Sequence, residues 1–256
     1  MHVNVTDLSV SYRTTLILDK LNLSLPEGKL IALVGPNGCG KSTLLKSIAR
    51  LLAPRNGQIF LEGQSIHAMS AKDVARKLAL LTQTPITPDG ITVRDLVAYG
   101  RAPYLNAFGH LSADDKKLIQ RSMMLMGVED LAENSLTQLS GGQRQRVWIA
   151  MALAQQTNTL LLDEPTTYLD MAHQVELMNH LQLLNKNGKS IIVVLHDLNQ
   201  ACRYADMLVV LKQGRVVATG TPEQVMSEAL LQDVFELNAK IFSDPIAGTP
   251  MCIATH

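Results

Sequence analysis

Three cysteines in 256 residues, Cys39, Cys202 and Cys252, are too few and too scattered for a disulfide framework, and no C-x-x-C spacing offers a zinc site. A reducing cytosol is the simpler expectation. Charge of neither sign is in excess, with 23 Lys and Arg against 23 Asp and Glu. No basic tail or stripe is present, so no nucleic-acid partner is expected. No apolar run approaches the ~18 residues needed to cross a bilayer. The segment Met1-His2-Val3-Asn4-Val5-Thr6-Asp7 lacks the charged and apolar regions of a signal peptide. Any membrane role is expected to come through a partner. Internal repeats and low-complexity segments are also missing. What remains is the composition of a globular domain, 46% hydrophobic and 18% charged, long enough to bury a substantial core.

The pattern along the chain predicts an α/β fold. Val3–Tyr12 and Leu16–Leu25 read as antiparallel strands, and Pro26-Glu27-Gly28-Lys29 as a turn. Leu30–Val34 is short and wholly apolar, the mark of a strand buried on both faces. A helix is expected over Ser42–Leu51, then a strand at Gln58–Leu61. From Ser70 the pattern turns helical, with further helices at Thr92–Gly100 and Ser112–Met126. Thr159–Leu162 and Ser190–Leu195 read as buried strands around a helix at Met171–Asn185. Met207–Leu211 and Arg215–Thr219 flank Gln213-Gly214 as a hairpin, and a single helix is expected over Pro222–Phe235. Residues 1–83 and 156–235 then form a core with a mostly parallel sheet and an antiparallel N-terminal β part. Residues 84–155 form an inserted helical lobe, and 236–256 a tail of weak periodicity. Strands alternating with helices place ligand chemistry at the strands' carboxyl ends.

Gly35-Pro36-Asn37-Gly38-Cys39-Gly40-Lys41-Ser42 matches the phosphate-binding P-loop. Its glycines let backbone N–H groups turn inward around phosphates, Lys41 adds positive charge and Ser42 offers a hydroxyl to magnesium. Leu160-Leu161-Leu162-Asp163-Glu164 is an apolar strand closing on two acids. Such a strand does not end in paired carboxylates without a charged partner. Asp163 suits a magnesium ligand and Glu164 a general base that polarises water. His196 follows the strand Ser190–Leu195, where it can reach a γ-phosphate or orient Glu164, although a lone histidine is more often structural. Gln83 follows apolar Leu78–Leu81 and offers an amide to magnesium, or is a plain loop residue. Tyr12 is a stacking partner for adenine or a packed tyrosine; the residues leave both open. Ser140-Gly141-Gly142-Gln143 begins a helix over Arg144–Ala154. It provides either a second anion site or a cap alone.

Taken together and in order, these motifs resemble the ATP-binding subunits of ABC transporters over essentially the whole chain. The resemblance implies an ATPase using ATP and Mg2+. Asn37, Gly38, Cys39, Gly40, Lys41, Ser42 and Thr43 would hold nucleotide, with Tyr12 at the adenine, and Ser42, Gln83 and Asp163 would face the metal. Glu164 would be the catalytic base and His196 its switch partner. Ser140, Gly141, Gly142 and Gln143 would complete the site of a second copy, and Asp170 would help lock that head-to-tail dimer. The implied partners are two membrane permease subunits or a permease dimer at the cytoplasmic face of the membrane, and indirectly a periplasmic or surface binding protein. Through Gln83 and the stretch 84–105 the chain would meet that permease. Cys39 within the loop, Tyr99-Gly100-Arg101-x-Pro103, Pro165–Asp170 and Leu195–Ala201 look like the importers of ferric siderophores, haem and vitamin B12. Thr87–Val93, Leu111–Asp115 and Gly248–Cys252 look like the ATPases of ferric dicitrate importers. Tyr12-Arg13 departs from the Tyr-Gly that many such cassettes carry. A P-loop kinase would leave Leu139–Gln143 unexplained. A soluble relative acting on DNA or ribosomes usually carries two cassettes or a coiled-coil insert.

Overall fold

The computed structural model describes residues 2–83, 85, 90–105 and 109–255. Strands β1 (Val3–Tyr12) and β2 (Thr15–Leu25) form the expected antiparallel hairpin, with Tyr12 opposite Thr15 at its tip. Arg13 in that tip sits at φ 52, a left-handed conformation that glycine adopts without cost. That is the physical content of the departure at this position. Strand β3 (Leu30–Val34) runs into the glycine loop and α1 (Lys41–Ile48), which is shorter than expected. Strands β4 (Asn56–Leu61) and β5 (Gln64–Ser65) complete a four-stranded antiparallel sheet in the order β2-β1-β4-β5.

The helical pattern expected from Ser70 is interrupted by a strand. Helix α2 (Ala71–Lys77) is capped by Ser70, but Leu78–Leu81 is a strand, β6. Four apolar residues carry too little periodicity to separate a helical turn from a buried strand. Beyond it come α3 (Val93–Tyr99), α4 (Ala113–Leu125) and α5 (Gly141–Ala154), then β7 (Thr159–Asp163), α6 (Met171–Lys186), β8 (Ser190–Val194), α7 (Leu198–Tyr204), β9 (Met207–Lys212) and β10 (Arg215–Gly220). A six-stranded sheet in the order β10-β9-β3-β8-β7-β6 is parallel from β9 to β6, with β10 antiparallel at one edge. The expected mixed α/β class is therefore the observed one.

Two further expectations fail near the C-terminus. Pro222–Phe235 is two helices, α8 (Pro222–Val225) and α9 (Glu228–Phe235), because Ser227 turns extended and caps the second by accepting from Leu230 N–H at 3.1 Å. The weakly periodic tail is a hairpin, β11 (Ala239–Ser243) and β12 (Pro250–Ala254), in regular antiparallel register. Among the described residues no helix is long and apolar enough to cross a membrane.

Alternate residues of β3 serve two cores. Leu30, Ala32 and Val34 face a cluster shared with α3, α4 and α5, while Ile31 and Leu33 face one shared with β1, β2, β4 and α1. The helical region is thus welded to one face of the sheet. Its polar fastening is Arg101, just past α3 and 5% exposed. It donates from Nε to Asp115 Oδ1 at 2.7 Å and from Nη1 to Ala154 carbonyl at 2.8 Å, and its guanidinium lies 4.0 Å from the Tyr104 ring centroid. Asp115 Oδ2 in turn accepts from Ser112 N–H and Oγ at the start of α4. One side chain thereby ties the ends of α3, α4 and α5.

Removing one partner of a buried pair leaves the other charge without compensation. Arg101→Ala is expected to cost about 3 kcal/mol of unfolding free energy, read from the urea midpoint. A loss no larger than an exposed pair gives, under about 1 kcal/mol, would show that the three helices do not depend on this contact.

Candidate functional site

Parallel pairing in register brings the carboxyl ends of β3, β7 and β8 together, with Leu33 opposite Val194 and Asp163 opposite Val194 on the other side. The P-loop, Asp163-Glu164 and His196 follow those ends directly. The loop itself is shaped by close approach. A Cβ on Gly35 would meet Leu211 carbonyl oxygen at 2.2 Å, and Gly40, at φ 106, would place one 2.6 Å from Leu18 Cδ2. Lys41 is 5% exposed and folds back on the loop, donating from Nζ to the carbonyls of Gly35 (2.8 Å) and Pro36 (3.0 Å). Cys39 lies buried behind the loop, its thiol pushed up by burial, which makes it a packing residue.

Ser42 Oγ donates to Asp163 Oδ1 at 2.8 Å. Asp163 is 1% exposed, and its Oδ2 is buried with no hydrogen-bond partner. Burial pushes this carboxyl above the ordinary carboxylate range, the Ser42 hydrogen bond pulls it partly back, and the neighbouring Glu164 charge adds to the rise. Glu164, at φ 53, turns the chain sharply away from the strand. Both of its oxygens are engaged: His196 Nε2 lies 2.7 Å from Oε1, and Gln83 Nε2 donates to Oε2 at 2.6 Å. Thr167 Oγ1 adds a longer bond to Oε2 at 3.4 Å, a contact that no pattern in the sequence announced.

Asn37, Gly38, Gly40, Lys41, Ser42, Thr43, Gln83, Glu164 and His196 line one open cleft of about 560 Å³, with Ile17 at its rim. Ile17 was not foreseen, since an apolar strand residue signals only core. Tyr12 is not among the lining residues. It stands at the hairpin tip, 44% exposed. Ser140, Gly141, Gly142 and Gln143 are not among them either. Ser140 Oγ accepts from Gln143 N–H at 3.2 Å, and Gln143 Oε1 accepts from Ser140 N–H at 2.9 Å, a reciprocal cap that starts α5. Gly141 borders a second cleft of about 270 Å³ with Gln83, Arg144, Gln145, Trp148 and Tyr168. Gln83 is common to both clefts. Asp170 caps α6, accepting from His173 N–H at 2.9 Å, and its Oδ1 lies 2.8 Å from the His173 ring. The stretch 84–105, expected to face the partner, lies partly outside the described residues, as does Thr87–Val93.

Because the folded-state pKa of Asp163 is raised, its charge disfavours the fold at neutral pH, and the penalty fades as pH falls through its raised range. Without nucleotide or metal, Asp163→Asn is expected to melt higher than the parent at pH 7, and to lose that advantage toward the ordinary carboxylate range. A variant that melts lower at pH 7 would show that the carboxylate is stabilised where it stands.

Comparison with known proteins agrees with this fold. The family model described as "ABC transporter" matches residues 18–167. The "Probable siderophore transport system ATP-binding protein YusV" of Bacillus subtilis (strain 168) is 49% identical over 252 residues, covering 98% of this chain and 92% of that one. The "Iron(3+)-hydroxamate import ATP-binding protein FhuC" of the same organism is 47% identical over 252 residues, covering 98% and 94%. Among solved structures, the "Dimeric structure of a post-hydrolysis state of the ATP-binding cassette MJ0796 bound to ADP and Pi" superposes with a TM-score of 0.77 at 28% identity, covering 86% of this chain and 98% of that one. With its P-loop, Glu164 and His196 lining one cleft and Asp163 buried behind Ser42, this chain belongs to the ABC transporter family as an ATP-binding ATPase subunit.

Proposed function

We propose that this ATPase works as a head-to-tail pair that powers import of a ferric chelate through membrane permease subunits at the cytoplasmic face of the membrane. The observation that carries the dimer is the division of the expected site. Lys41, Glu164 and His196 share one cleft, whereas none of Ser140–Gln143 lines it and Gly141 borders another. A second copy related by a two-fold axis would bring each half to its complement, making two equivalent sites. The similar cassette solved as a dimer with ADP and Pi supports this arrangement.

In this reading the loop from Asn37 to Thr43 holds the phosphates, and Lys41 leaves its own carbonyls for them. Tyr12 and Ile17 flank the adenine, and Cys39 supports the loop from behind. Ser140, Gly141, Gly142 and Gln143 of one copy complete the site at the γ-phosphate of the other, with Gly141 and Gly142 presenting the backbone N–H groups that the reciprocal cap of Ser140 and Gln143 leaves free, and Asp170 sits at the seam. The orphaned, buried Oδ2 of Asp163 beside Ser42 fits a hard cation such as Mg2+, with Gln83 in reach of the same cleft. Among the described residues no cluster of three or more His, Cys, Asp or Glu side chains could hold a metal. Such an ion would take its other ligands from phosphate and water, and would neutralise phosphate charge. Glu164 accepts the proton of the attacking water, and His196 fixes its carboxylate. Gln83 occupies the second oxygen of Glu164, so it must move when water is to be activated. ATP favours the closed pair only by binding it better than the open one.

The region 84–155 acts as an inserted helical lobe that meets the permease. For the solute, the siderophore and hydroxamate names of the two relatives support iron chelate as a class. Ferric citrate is the finer reading, resting on Leu111–Asp115 and Gly248–Cys252; another siderophore is the alternative that those relatives favour.

Glu164→Gln is expected to keep ATP binding, to lower phosphate release by at least about 100-fold, and to accumulate an ATP-bound dimer on size-exclusion chromatography. Turnover at the parental rate would remove Glu164 from the base role. Ser140→Arg is expected to bind nucleotide as a single chain yet to form no dimer with ATP. Dimerisation of that variant would refute the composite site.

A further inference from the structure

His196 needs a support that its own packing does not give. Its side chain is 47% exposed, so the ring is not walled into place. Its position depends on the backbone at either side. Upstream the chain is fixed, because Leu195 is buried and its N–H donates to Leu33 carbonyl at 3.2 Å in the sheet. Downstream lies α7, whose cap is Asp197. That carboxylate accepts from Asn199 and Gln200 N–H at 2.8 and 3.0 Å.

The first turn of α7 is fastened to the C-terminal hairpin. Asn199 Nδ2 donates to Cys252 carbonyl at 3.1 Å, and Asn199 Oδ1 accepts from Cys252 N–H at 2.8 Å. Both ends of one amide are spent on one residue of β12. One turn later, Arg203 donates from Nε and Nη2 to Asp244 Oδ2 at 2.9 and 2.6 Å. Asp244 Oδ1 accepts from Ile246 and Ala247 N–H, which holds the turn between β11 and β12. Cys202, on the same face as Asn199 and Arg203, is 1% exposed, and its thiol is pushed up to about 12, chiefly by burial. It packs and does not react. With Leu198 and Ala201 it joins α7 to the main core. A short helix is thus clamped between the sheet and a terminal hairpin, with His196 at its entrance.

We propose that Asn199 is a positioning residue for ATP hydrolysis: by locking the first turn of α7 to β12 it holds His196 against Glu164, and the C-terminal hairpin is the backstop of that histidine. The inference rests on the reading of His196 given above. A misplacement of a supporting group by about 1 Å is enough to lower a chemical step by one to two orders of magnitude. The phosphate loop, carried by β3 and α1, makes none of these contacts, so nucleotide binding is not expected to change.

The test is steady-state phosphate release by the full chain carrying Asn199→Ala, with ATP affinity measured in parallel at a temperature well below melting. The expected result is a fall in kcat of about tenfold with KM for ATP changed less than twofold. Asn199→Asp keeps the acceptor for Cys252 N–H and loses the donor. It is expected to fall between the two, and it provides the measurement if the alanine variant does not fold. An unchanged kcat in both variants, or a loss of ATP binding in step with kcat, overturns the inference. His196→Ala, assayed alongside, separates the layers. Parental turnover there overturns the role of His196 itself. Impaired turnover there with normal turnover in both Asn199 variants overturns only the backstop.

Discussion

The hydrogen bond from Ser42 Oγ to Asp163 Oδ1 joins the first turn of α1 to the last residue of β7, and the cleft depends on it. It spans the space where the helix N-terminus and the acid pair face each other, and it is the polar partner of a carboxylate that is otherwise sealed from water. A buried acid with one oxygen unsatisfied is costly in the free protein. In the proposed reading a bound cation would relieve that cost, so stability of the free protein and function pull in opposite directions at this residue. The neighbouring Glu164 avoids the same penalty because it leaves the strand in a left-handed turn and reaches His196 and Gln83.

The sheet makes this arrangement possible. Its parallel strands are apolar on both faces and so must be covered on both, by the antiparallel sheet with α1 on one side and by the helical region on the other. Strand ends in register then deliver loop, acids and histidine to one edge without any long-range search among side chains. Arg101 does for the helical region what Ser42 does for the cleft, drawing separate helix ends to one charge.

Legibility in the sequence followed the strength of the local constraint. The loop 35–42 was readable because Gly35 meets the Leu211 carbonyl at a distance no side chain permits, and Gly38 and Gly40 sit at positive φ. The start of α5 was readable because Ser140 and Gln143 satisfy each other's N–H groups locally. Strand β6 was not, because four apolar residues are decided by their neighbour β7 and not by their own pattern. The terminal hairpin was not, because its fastening runs through Asn199 and Arg203, some forty to fifty residues away in the chain. The break between α8 and α9 turned on one serine that also fits a helix. Tyr12 was left open by the sequence, and it stands outside the cleft lining while Ile17 from the facing strand stands inside.

Gln83 sits at the boundary of two clefts, and the wall of the second includes Trp148, the single tryptophan of the chain. It is 8% exposed, close enough to the surface to feel a change of solvent and buried enough to be well ordered. The protein therefore carries its one indole beside the residue common to both clefts. Its emission reports on that seam without a label, and no second indole obscures the signal.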